Sequence, residues 1–264
     1  MKDANIQAFI CREDRVLHLK NGTSTFITAE GFPTWFEKLN QHSINLKPDQ
    51  PRLIHFLYEA GAFILGNSPR SMPFYAVDTT FESVEAASIS KSGLELKKID
   101  GPSFDLYQKL YEQVQKHLYA GNAYQINLTF PFDYQVSYKD DPAYFNSFMN
   151  QPSTGSFAQS IYWPDENISF VSNSPETLWT ARPKRNGMWR VASMPIKGTA
   201  RGGEWDKLVN SKKDEAELLM ITDLVKNDLN RLSDGNAHID ALKEKLEVHG
   251  LVHQFSEVSA EVSG

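Results

Sequence analysis

Cysteine is almost absent from this sequence: Cys11 is the single one in 264 residues. No internal disulfide can form, and a reducing compartment is expected. No apolar run approaches the roughly 20 residues needed to span a bilayer. The opening stretch MKDANIQAFICRED lacks the apolar region and small-residue cleavage site of a signal peptide. A cytoplasmic protein without membrane association is therefore expected. Clustered positive charge is scarce too. The net charge is -6, and the longest Lys/Arg pieces are Lys97-Lys98 and Lys212-Lys213, too short to draw nucleic acid or anionic lipid. No glycine-rich phosphate loop, internal repeat or low-complexity tract is present.

What remains is an ordinary globular composition, 41% hydrophobic and 12% aromatic, with enough apolar material for a full core in one large domain or two smaller ones. The chain divides into two unequal parts. Residues 1–100 mix short apolar pieces (Ile6-Cys11, Phe26-Thr28, Phe74-Val77) with turns, a candidate helix near Thr34-Gln41 and a proline-bounded loop at Pro48-Pro51. Cys11 reads as a half-buried thiol where a strand enters a turn. Asp100-Gly101-Pro102 breaks the chain, and residues 101–264 form the second part. Ser103 is the expected N-cap of a helix whose Phe104, Tyr107, Leu110, Tyr111, Val114, His117 and Leu118 share one apolar face, with His117 packed on it. Gly121-Asn122 ends that helix. From Tyr124 to Gln135 apolar and polar residues alternate, the clearest strand pattern in the chain, with Pro131 suggesting an edge or bulge. Hairpins follow around Pro164-Asn167 and Asn186-Gly187. A long helix is expected over Lys213-Leu232 and a last strand over Val248-Val258. The predicted class is α+β, with antiparallel sheets packed as a sandwich and helices on the outside.

Several residues carry possible chemistry. Lys197 ends a strand among small and apolar neighbours, Ser193 to Arg201, beside Gly198 and Thr199. A lysine held partly dry is a nucleophile or base; one at a strand end in water is neither. Asp214 and Glu217, three apart on a helix, present both carboxylates on one face and suit a hard cation such as Mg2+. Equally, Ser211 and Asp214 read as a capping pair at a helix start. Glu176, after Ser174-Pro175, and His253 are candidate acids or bases.

Together these pieces resemble the ordered motifs of the chorismate-utilising enzymes. Gly121-Asn122-Ala123-Tyr124-Gln125-Ile126-Asn127-Leu128-Thr129 is similar to the first motif, Ser174-Pro175-Glu176 to the second and Pro195-Ile196-Lys197-Gly198-Thr199 to the third. The stretch Glu217 to Leu229, ELLMITDLVKNDL, is similar to the helix motif, and Val252-His253-Gln254-Phe255-Ser256 to the histidine strand. The resemblance covers roughly residues 101–264.

Two positions sort the family. Members that hydrate chorismate carry a lysine base where this chain has Gln125, and anthranilate-forming members carry alanine where it has Lys197. Gln125 with Lys197 resembles the branch that aminates chorismate to 4-amino-4-deoxychorismate, for p-aminobenzoate and folate. The resemblance implies a Mg2+ held partly by Glu217, with Asp214 an outer acidic position, and Lys197 as covalent nucleophile. It further implies Glu176 for proton transfer, His253 assisting hydroxyl departure, and Gly198, Thr199 and Gln125 around the substrate. Ammonia would come from a glutamine amidotransferase subunit, since no glutaminase cysteine context is present. Family members continue beyond the point where this sequence stops, with a glycine-rich S-I-T-G-A-P-K segment, a substrate-binding arginine and further metal-binding glutamates. The expectation is thus a C-terminally incomplete core. Anthranilate synthase component I and a non-catalytic chorismate-binding remnant are the alternatives.

Overall fold

Two antiparallel sheets hold most of the strands in the computed structural model, which describes residues 6–12, 15–41, 50–67, 72–87, 95–123, 125–137, 154–185, 187–248 and 250–263. The first sheet has six strands in the order β3-β4-β2-β1-β7-β8. They are β1 (Ile6–Arg12), β2 (Arg15–Ile27), β3 (Arg52–Phe56), β4 (Ala76–Ala86), β7 (Phe157–Trp163) and β8 (Ile168–Ser174). Its strands come from both sides of the break at Asp100-Gly101-Pro102, because β7 pairs with β1. Ala8, Leu19, Val77, Phe81, Ile161 and Trp163 form its core. The Trp163 indole Nε1 donates to Ser24 Oγ at 2.9 Å and Thr79 Oγ1 at 3.2 Å, so the buried N–H is satisfied. Helices α1 (Phe32–Gln41) and α2 (Tyr58–Ile64) bring Phe32 and Ala60 onto Ile27, Tyr75 and Ala76.

His55 on β3 lies edge-on to Trp163 and Phe170, with ring centroids 5.4 and 5.0 Å away. Burial pushes its pKa below the ordinary 6.5, with the Gln159 side chain acting in the opposite direction. Burial lowers His18 as well. A histidine kept neutral in the fold but free to protonate when unfolded lets the unfolded state bind more protons. Stability is then full above the unfolded value of 6.5 and falls as pH drops from there toward the folded-state pKa. Urea unfolding between about pH 7.5 and 5 is expected to show this loss, with a shallower pH slope for His55→Phe. Equal slopes in parent and variant would mean that His55 does not titrate there.

The second sheet holds β9 (Thr180–Pro183), β10 (Met188–Ser193), β11 (Ile196–Arg201), β12 (His238–Val248) and β13 (Leu251–Ser263). β10 and β11 run along the same edge of β13 in one register, from Met188↔Ser263 through Ser193↔Val258 to Ile196↔Phe255 and Lys197↔Gln254. The Pro195 carbonyl accepts from Ser256 N at 3.1 Å between them. β12 lines the opposite edge of β13. Two helices lie against this sheet, α4 (Trp205–Val209) and α5 (Lys212–Leu232). Ser211 caps α5, its Oγ accepting from Asp214 N at 3.3 Å. Leu218, Thr222 and Leu229 form the buried stripe of α5. Thr222 Oγ1 meets Ser256 Oγ at 2.6 Å, and Leu229 packs with Ala237, Val258 and Ala260. The Lys243 ammonium donates to Glu215 at 2.8 Å and ties β12 to α5.

The α+β class with antiparallel sheets and outer helices is as expected, and so are the Ser103 cap (Leu106 N to Ser103 Oγ, 3.1 Å) and the Gly121 stop at φ +71°. Three local expectations are corrected, and one strand is additional. Residues 125–132 form no ladder; only β6 (Asp133–Ser137) does, paired with β5 (Glu95–Asp100). Alternation offers a strand face, but a strand needs a partner's hydrogen bonds, and no described strand lies alongside 125–132. Tyr124, Asn186 and Pro48 fall outside the described residues. His117 is not packed: it is exposed near the end of α3 (Phe104–Tyr119) and meets Asn122 Nδ2 at 3.2 Å. The periodicity of α3 is real, but no described element covers the face it makes, and no residue of the helix is buried. Val248 ends β12 rather than opening the last strand, and β12 itself was unmarked, because its Ala241-Leu242-Lys243-Glu244-Lys245-Leu246 has the composition of a helix surface.

Candidate active site

The break between β10 and β11 sets the site. Gly198 is an extra residue in β11: the pairing steps from Lys197↔Gln254 to Thr199↔His253. A bulge of this type re-aims the side chains that flank it. Gly198 has φ +80°, and a Cβ there would lie 2.8 Å from Leu208 Cδ1 and 3.0 Å from Asp214 Cβ. The close approach its missing side chain allows is thus to α4 and α5.

An open cleft of about 580 Å³ lies beside this bulge, lined by Gln125, Lys197, Lys213, Glu217, Met220, Ile221 and Leu224. That volume is in the range of small-molecule sites, about 300–1,000 Å³. Three residues singled out in the sequence therefore share one cavity: Lys197 from β11, Glu217 from α5 and Gln125 from the segment after α3. Lys197 is exposed rather than held dry. Glu176 lies in the bend between β8 and β9, and its Oε2 accepts from Ile196 N at 3.1 Å, one residue from Lys197. Thr199 Oγ1 and His253 Nδ1 meet at 2.9 Å, with His253 only 9% exposed. That pair joins two adjacent strands just past the bulge.

Asp214 does not line the cleft. Its backbone N–H is capped by Ser211, and its side chain packs beside Gly198. Among the described residues no three or more His, Cys, Asp or Glu side chains converge. A Mg2+ that takes one or two protein carboxylates and completes its shell with water and substrate oxygens needs no such group. Glu217, 47% exposed at the cleft, suits that demand.

Lys213 stands in the sequence only as half of a short basic pair at a helix start, although the signal for a site residue is present. Residues 213, 217, 220, 221 and 224 are spaced as one helical stripe, which runs along the cleft. An apolar groove of about 340 Å³ between α5 and the sheet, lined by Leu178, Trp179, Val191 and Leu232 among others, holds none of the candidate residues.

Known proteins resemble this chain in sequence and in fold. The profile of the family described as chorismate binding enzyme matches residues 78–264. Aminodeoxychorismate synthase component 1 of Salmonella typhimurium is 35% identical over 135 residues, 48% of this chain and 28% of that protein. Anthranilate synthase component 1 of Archaeoglobus fulgidus is 26% identical over 233 residues, 83% of this chain and 53% of that one. The chain thus spans well under two thirds of these relatives. A solved Bacillus anthracis structure, described as a 2,3-dihydroxybenzoate-specific isochorismate synthase, superposes with TM-score 0.65 at 15% identity, covering 98% of this chain and 68% of its own. Anthranilate synthase component I of Streptococcus pneumoniae superposes with TM-score 0.57 at 16% identity, covering 99% of this chain and 70% of its own; both likenesses show the fold. No helix among the described residues is long and apolar enough to cross a membrane. With a profile match over most of its length, and Lys197, Gln125 and Glu217 gathered in one cleft, the chain belongs to the chorismate-binding enzyme family.

Proposed function

We propose that this chain aminates chorismate to 4-amino-4-deoxychorismate, with ammonia from a glutamine amidotransferase subunit, in p-aminobenzoate and folate synthesis. The observation that carries the reading is that Lys197 and Gln125, the two positions that sort the family, line the same cleft. Glutamine has no proton-accepting nitrogen with which to activate water, which disfavours hydration. The Lys197 amine, once neutral, attacks the ring two positions from the carbon that loses its hydroxyl. Glu176 delivers the proton with which that hydroxyl departs as water. Ammonia then adds where the hydroxyl left, the C–N bond to Lys197 breaks, and the diene is restored. His253, held by its bond to Thr199, is assigned the part of assisting the departing hydroxyl. Mg2+ held through Glu217 would polarise the ring carboxylate when bound.

Incubation with chorismate, Mg2+ and ammonium salt, with product identified by mass and chromatography, tests the reading; aminodeoxychorismate is expected. The longer alignment with the Archaeoglobus anthranilate synthase component 1 favours anthranilate as the second reading, and anthranilate as product would select it.

A further inference from the structure

We infer that Lys213 is a substrate-binding residue of this cleft, its ammonium holding a carboxylate of the bound dianion. The identity of the dianion rests on the chorismate reading above; the placement of the lysine does not. Lys213 lines the cavity together with Lys197, Gln125 and Glu217. Local helix energetics do not account for it. It is the second residue of α5, where the positive end of the helix dipole disfavours a cation. It precedes Glu217 by four residues, the weaker order for such a pair. Its Nζ lies 3.8 Å from the Glu217 carboxylate with the lysine side chain 82% exposed, and an exposed pair of this kind contributes little. What the position does offer is a second positive charge on a cavity in which, among the described residues, Glu217 is the one lining carboxylate. A substrate with two negative charges entering a chain of net charge -6 needs such local compensation. A divalent cation on Glu217 would turn the Lys213 ammonium away from that carboxylate and toward the substrate.

Lys212 provides the control. It is exposed, adjacent in the same helical turn and equally charged, but does not line the cleft. Steady-state kinetics with ammonium as donor should compare the parent with Lys213→Ala, Lys213→Arg and Lys212→Ala. Loss of a charge-assisted hydrogen bond is expected to raise KM for chorismate about tenfold in Lys213→Ala, with kcat nearly unchanged. Arginine should restore most of the affinity, and Lys212→Ala should leave KM at the parent value. The assignment is overturned if Lys213→Ala keeps the parent KM, or if Lys212→Ala raises KM equally. Calorimetric titration of chorismate with Mg2+ separates this outcome from failure of the amination reading. A parent that binds chorismate without aminating it, beside a weakly binding Lys213→Ala, sinks the amination reading and supports Lys213. A parent that does not bind chorismate overturns both.

Discussion

Lys197→Ala is expected to lower kcat/KM for chorismate amination by about a thousandfold or more, because removing a covalent nucleophile leaves only binding and electrostatic terms. The substitution is a clean one. Lys197 is exposed at the cleft beside the bulge, so truncation creates no buried cavity, and the β11–β13 ladder depends on its backbone alone. Lys197→Arg should not rescue, since a guanidinium stays protonated and cannot attack. Initial rates with ammonium salt, with circular dichroism to confirm the fold, measure the effect. Chorismate supplied without ammonia should leave a covalent adduct on the parent and none on Lys197→Ala, read by intact-protein mass. Activity within about tenfold of the parent, which proximity and polar groups can supply without covalent chemistry, would remove Lys197 from the reaction.

The second large effect is on stability. Gly198→Ala is expected to cost roughly 2–5 kcal/mol, from about 1–2 for a left-handed backbone with a Cβ and about 1–3 for overpacking. Both causes act at one residue. Gly198 has φ +80°, and the added Cβ would meet Leu208 Cδ1 at 2.8 Å and Asp214 Cβ and Cγ at 3.0 and 3.2 Å. Leu208 is 4% exposed and has little room to retreat. Urea unfolding measures the loss. Adding Leu208→Ala to Gly198→Ala should remove part of the steric cost and none of the backbone cost, so the double variant should be more stable than the sum of the two singles predicts. Additive losses would place the cost in the backbone and against Asp214 rather than against Leu208. Activity should fall along with stability, because the bulge sets where Lys197 and Thr199 stand relative to Gln254 and His253.

Sequence and structure agree best where the physics is local. A cap needs a serine three residues before a free N–H, and both Ser103 and Ser211 make that bond. The β7–β8 hairpin was legible from its turn, and Asn167 takes φ +51° there as asparagine readily does. Agreement fails where a partner is required. Residues 125–132 alternate as a strand does but have no ladder, and the apolar stripe of α3 stays uncovered by any described element. The helix-like composition of β12 yields to an edge of β13 waiting to be paired.

The candidate site divides in the same way. By itself the sequence determined the residue types, their order and the helical stripe from Lys213 through Glu217 to Leu224, since each is a property of neighbours along the chain. The tertiary structure decided that Asp214 packs beside Gly198 while Glu217 opens on the cleft, that Glu176 accepts the Ile196 amide, and that Thr199 meets His253. Those relations depend on β11 reaching β13 across about fifty residues of sequence and on one extra residue at Gly198. A pairing register is a property of two strands together, which neither strand's residues specify alone.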